Sequence, residues 1–228
     1  MGKVLICSLL LVMVLTLAAM ADEPQTPSSQ VYYGDVTETA ILWFAGTSVT
    51  TEIHGDFALS GSLTIEDEAI PFATCGEING FGEGDTATLT GVMWTIFTTA
   101  GTLESGEEVE IRGGLTVDGG DFLLATEATG EGTGTFYMMI LLTDARIEVA
   151  GTVYGSASGS FVPPDDPATM QLDVSGTMRF EATSTMHSLS NIPIDLGTLQ
   201  ERLPWDLDMW PEDLFSQLLL LLGESPTP

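Results

Sequence analysis

The sequence predicts an all-β fold: an antiparallel up-and-down β-barrel or rolled β-sandwich of roughly nine strands, with one short C-terminal α-helix packed on the sheet. Three observations lead there. Apolar residues recur with period two through most of residues 30–188. Glycine recurs inside the alternating runs, as in Ser60-Gly61-Ser62, Thr90-Gly91-Val92 and Ser175-Gly176-Thr177. The one segment with helical periodicity is the last, "PEDLFSQLLLLLG".

The chain begins with Met1-Gly2-Lys3, an almost wholly apolar run Val4–Leu17, and the small-x-small triplet Ala19-Met20-Ala21. That is the pattern of a cleaved signal peptide over 1–21, so the protein is expected to be exported: extracellular, at the cell surface or periplasmic. Residues 22–30, "DEPQTPSSQ", lack apolar periodicity and read as a disordered leader.

The antiparallel β domain is placed at 31–188. Its clearest strand is "MQLDVSGTMRFEA" (170–182), with Met170, Leu172, Val174, Met178 and Phe180 on one face and Gln171, Asp173, Arg179 and Glu181 on the other. Other expected strands are 30–37, 40–53, 56–66, 86–98, 108–117, 121–129, 135–143 and 145–155. Turns are expected at "HGD" (54–56), "GFGEG" (80–84), "DGG" (118–120) and "GEGTG" (130–134). Glycine weakens a strand interior, and its recurrence there points to a strongly curved sheet. The Ala45-Gly46-Thr47 and Ala150-Gly151-Thr152 triplets are counted with it. "FYMMILL", 136–142, is apolar on both faces and therefore calls for cover on both. The loop 155–167 carries Pro163, Pro164 and Pro167, which keep it out of a sheet centre.

Residues 189–210 read as a proline-punctuated connector and 211–222 as a helix of the same domain. Pro211 suits the first helical position, Glu212 and Asp213 the positive end of the dipole, and Gly223 the C-terminal stop. Twelve residues rise about 18 Å against about 30 Å of hydrocarbon, so the mature chain has no helix that spans a membrane. Leu214, Phe215, Leu218, Leu219 and Leu222 share a face and are expected to dock on the sheet, over 136–142. Leu220 falls outside that face.

Charge narrows the partners. The chain has 33 acidic residues against 5 lysines and arginines, a formal net charge of −28. Lys3 leaves with the signal, so the cations that remain are Arg112, Arg146, Arg179 and Arg202. Nucleic acid and anionic lipid headgroups need cationic contacts and are excluded as partners. Outward faces that carry Asp, Glu and Arg also argue against a lipid-embedded barrel. Cys7 leaves too, and Cys75, at the end of the strand-like "IPFATC", is expected as a single buried, inert thiol.

No catalytic constellation emerges. Without lysine after the signal there is no Schiff-base or Walker lysine; no H-E-x-x-H or G-x-S-x-G is present, and "GSASG" holds Ala157 in the serine's place. No cofactor is expected. Calcium is the one cation with candidate ligands: Asp118 with Asp121, Asp165 with Asp166, and Asp206 with Asp208, none in an EF-hand pattern. Two functions lead: a non-enzymatic module that holds an apolar small ligand or simply presents a surface, and a cell-surface assembly module that self-associates through its leader or helix; a carboxylate-dependent hydrolase is the third class, with no acid and base that the sequence singles out.

Overall fold

The computed structural model describes residues 30–65, 68–124, 128–162, 169–188, 194 and 196–223. The expected signal peptide over 1–21, the expected leader up to residue 29, and Asp165 and Asp166 lie outside them. Eight antiparallel strands form a closed barrel in sequence order: β1 (Val31–Ala45), β2 (Ser48–Ile65), β3 (Glu68–Asp85), β4 (Thr90–Thr102), β5 (Glu108–Leu124), β6 (Ala128–Leu141), β7 (Arg146–Val162) and β8 (Met170–Ser188). The ring closes where β1 pairs with β8, from Val31 opposite Glu181 to Leu42 opposite Met170. Two short helices follow, α1 (Leu196–Arg202) and α2 (Glu212–Gly223), joined through a 3₁₀ turn at Leu207–Met209.

The strand count and several turns differ from expectation, for one reason. Strands here are 13–19 residues long, and inward glycines interrupt the apolar pattern without ending the strand. "HGD" lies inside β2, "GFGEG" inside β3, "DGG" inside β5 and "GEGTG" inside β6. Beyond the strand-like 70–75, β3 is masked in the sequence by its glycines at 76, 80, 82 and 84. Conversely, Ala45-Gly46-Thr47 is a turn: Gly46 has φ of 68°, the positive value a two-residue hairpin needs and most side chains resist. The connector is not wholly irregular either, since α1 lies in it. Cys75 is exposed rather than buried, because its neighbours Thr74 and Gly76 take the inward positions on β3.

Alternation sorts apolar residues inward and charged residues outward, the reverse of a barrel embedded in lipid. The half of the interior toward the β2–β3, β4–β5 and β6–β7 hairpins is filled. Its centre is a set of aromatic contacts, Phe57 to Phe97 at 5.0 Å and Phe136 to Phe180 at 5.1 Å between ring centroids. Tyr32 lies beside Phe72 in the same core, and its hydroxyl donates to Gln30 Oε1 at 2.6 Å.

β6 is covered on both faces. Phe136, Met138, Ile140 and Leu142 point into the barrel core, whereas Tyr137, Met139 and Leu141 point outward into a second apolar cluster. That cluster joins Trp94 and Ile96 of β4 to Leu199, Leu203, Trp205, Trp210, Leu214, Leu218 and Leu222 of the helical segment. Leu214, Leu218 and Leu222 are buried there, Phe215 and Leu219 pack partly against it, and Leu220 stays in solvent. α2 itself runs over β4 and β5. Gly114 makes a notch for it: a Cβ there would press on Leu218 and Trp210. Among the described residues no helix is long and apolar enough to cross a membrane.

Three of the four arginines fasten this helical cap. Arg112, buried on β5, donates from Nη1 to the Leu221 carbonyl at 3.0 Å and so satisfies an unpaired group at the negative end of α2. Arg146 and Arg202 both donate to Glu148 on β7, which also accepts from the Tyr137 hydroxyl at 2.7 Å. Burial, then the Glu148 charge and hydrogen bond, push the Tyr137 phenol far above its usual range.

Candidate functional site

The other half of the barrel is not filled. A cavity of about 230 Å³ opens between the β1–β2 and β3–β4 hairpins. Its floor is the upper edge of the packed core, since Val36, Val117 and Met178 belong to both. A collar of Ala40, Leu42, Ile53 and Leu172 surrounds it above the floor. Eight-stranded barrels are just wide enough for side chains to fill them or for one small ligand. Here glycine decides between the two. Gly82, Gly84, Gly91, Gly132, Gly155 and Gly159 line this half, where the packed half has aromatic and branched side chains. Gly155 is especially open: a Cβ there would touch only Met178 and the Thr177 carbonyl, both at 3.9 Å.

One carboxyl group points into the cavity. Among the described residues four acids lie along its wall: Glu83 and Glu131 are exposed, Asp85 belongs to the turn at the mouth, and of these Glu38 alone points inward. Glu38 follows Val36 and precedes Ala40 on the inner face of β1. Its lateral partners are Gly55 on β2 and Val174 on β8. Gly55 is required there, because a Cβ would overlap the Thr37 carbonyl oxygen and the Glu38 backbone. Enclosed by protein though still reachable from the cavity, the Glu38 carboxyl is pushed up to about 7 by loss of hydration. Among the described residues the lining contains no lysine, arginine or histidine.

The mouth is preformed. Asp85 Oδ1 accepts from the Ala87 and Thr88 amides at 2.7 and 3.1 Å, and its Oδ2 accepts from the Thr47 hydroxyl at 3.1 Å. These bonds hold the Asp85 carboxyl below the usual carboxylate range. Thr86 N donates to the Thr47 carbonyl at 2.7 Å, joining the two hairpins. At the end of that turn Leu89 takes φ of 58°, a strained value for leucine, and its side chain lines the mouth. Phe44 lines the mouth from β1, and both side chains remain exposed.

Of the candidate calcium ligands, Asp118, Asp206 and Asp208 do not line the cavity. Asp118 sits on β5 between Val92 of β4 and Thr133 of β6. Asp121 follows on the same strand, beyond Gly120 where the register shifts. Asp206 Oδ1 accepts from the Asp208 amide at 3.3 Å, which starts the 3₁₀ turn. Among the described residues no three His, Cys, Asp or Glu side chains gather as a metal site. His54 is exposed on β2 and its Nδ1 lies 2.6 Å from Asn79 Oδ1.

β1 runs unbroken through residues 37–40, where two separate strands are expected, and this continuity is what places Glu38 on its inner face. The signal was present: Val36, Glu38, Ala40 and Leu42 share one phase, and an acid in phase with apolar residues on a half-buried strand points inward.

Comparison with known proteins gives no match among family models, curated proteins or solved structures.

Proposed function

We propose that this protein is an exported, non-enzymatic binding protein whose barrel holds one small apolar ligand in the glycine-lined cup. The observation that carries the reading is the contrast between the two halves of one interior, one packed and one left open with apolar walls. A cavity of about 150 Å³ accepts benzene, so about 230 Å³ suits a ligand of about ten non-hydrogen atoms, with any longer tail leaving through the mouth. Hydrogen bonds between the two hairpins at the mouth hold the entrance ready, which lowers the ordering cost of binding. Among the described residues a single carboxyl points inward with no second acid or base beside it, which favours binding over hydrolysis.

The closed sheet leaves neither β1 nor β8 an open edge for a leader strand, and the leucines of α2 already lie against the barrel. Both features favour the ligand reading over assembly through leader or helix.

Native mass spectrometry before and after lipid extraction tests it. The stripped protein should take up one apolar molecule per chain, and Gly155→Phe, which fills the cup, should abolish uptake while the circular dichroism spectrum stays that of a folded barrel. Uptake unchanged in a folded Gly155→Phe protein would overturn the proposal.

A further inference from the structure

Resting on the cup reading, the geometry points to a narrower ligand class: a small apolar molecule bearing one amine, whose ammonium pairs with the Glu38 carboxylate above the floor of the cavity. An ionised carboxylate enclosed by apolar walls is unfavourable unless something pairs with it. Among the described residues none that lines the cavity can do so, since no lysine, arginine or histidine is there. From β1 Glu38 faces Val36 and Ala40, from β2 Ile53, Gly55 and Phe57, and from β8 Leu172, Val174 and Gly176. Across the cavity stand Met93, Val117 and Gly155. None of these titrates. Among the described residues the other charged groups of the lining are Glu83, Asp85 and Glu131 nearer the mouth, and all three are acids.

This arrangement discriminates by charge. An anionic ligand such as a fatty acid would meet three acids on the way in and a fourth inside, within a protein of net charge −28. A neutral alcohol could hydrogen-bond to Glu38 but gain nothing from its charge. A cation is drawn toward the mouth and finds an ion-pair partner in a water-poor site, where charge-assisted hydrogen bonds are strongest.

Proton release follows from the same geometry. The empty cup favours the protonated acid, because burial disfavours the charged form. An entering ammonium stabilises the carboxylate, so Glu38 gives its proton to solvent: R–NH₃⁺ plus Glu–COOH yields the ion pair and H⁺. Binding at pH 6 should therefore release nearly one proton per ligand, and at pH 8 almost none.

Isothermal titration of the lipid-stripped protein with octylamine, 1-octanol and octanoate, repeated in buffers of different ionisation enthalpy, tests the inference. Octylamine should bind about tenfold more tightly than octanol, with octanoate weakest and proton release seen for the amine alone. Glu38→Gln should remove the proton release and bring amine affinity down to that of octanol. Octanol binding as tightly as the amine, or amine affinity unchanged in Glu38→Gln, overturns the amine assignment. Octanol binding that Gly155→Phe abolishes would then keep the cup reading standing. Failure of all three probes to bind overturns both.

Discussion

Arg202 on α1 donates from Nη1 to both carboxylate oxygens of Glu148 on β7, at 2.8 and 3.0 Å. Glu148 is buried at 6% exposure, yet it also serves Arg146 and Tyr137, so one carboxylate ties the helical segment to two strands of the barrel wall. A buried charge removed from such a network leaves its partners desolvated, whereas the Arg202 side chain is one-third exposed and can return to water. Glu148→Ala should therefore cost about 3–5 kcal/mol and Arg202→Ala only about 1–2 kcal/mol, read from urea unfolding. Equal losses would mean that the network is no more than a surface ion pair.

Along α2 two leucines two residues apart have opposite environments. Leu218 is fully buried against Gly114 and the outer cluster, and Leu220 is 63% exposed. Leu218→Ala should destabilise by about 2–5 kcal/mol, and Leu220→Ala should stay within about 0.5 kcal/mol in the same unfolding assay. Deleting residues 209–228 would uncover Trp94, Ile96, Tyr137 and Met139, and the product should be insoluble. A truncated protein that stays soluble and equally stable would show that the cap is dispensable to the barrel.

Glu38 ties stability to pH. Its folded value, raised to about 7, lies above the ordinary carboxylate value of 4.5, so folding favours the protonated form. Stability should thus fall as pH rises from about 4.5 through 7 and level off above, by about 1–3 kcal/mol after allowing for water in the cavity. The other acids repel one another across the same range, so the informative quantity is the difference between proteins. Glu38→Gln should gain on the wild type between pH 5 and pH 8 in thermal unfolding; parallel curves would show that the carboxyl is well hydrated.

Two inward glycines should respond oppositely to alanine. At Gly134 a Cβ would overlap the Thr116 carbonyl oxygen, so Gly134→Ala must push strands apart, at about 1–3 kcal/mol or more. At Gly155 the Cβ enters the cup and meets only ordinary contacts, so Gly155→Ala should be neutral or stabilising by about 0.5 kcal/mol. Paired chemical unfolding of the two variants reads this directly.

Period-two alternation by itself determined the fold class, and the doubly apolar stretch 136–142 by itself implied a second covering layer. Both are local rules: side chains alternate along any strand, and a strand apolar on both faces cannot meet water on either. What the sequence left open depended on contacts between residues far apart in the chain. "GFGEG" and "GEGTG" look like turns because glycine is permissive anywhere, and only pairing with neighbours shows that they are wall. The fate of Cys75 and of Glu38 turned on strand phase, which one misplaced boundary inverts. Closure through β1 and β8 was decided in three dimensions, and it turned scattered glycines from 82 to 159 into one cavity. A void is a property of opposing walls, and no single strand contains it.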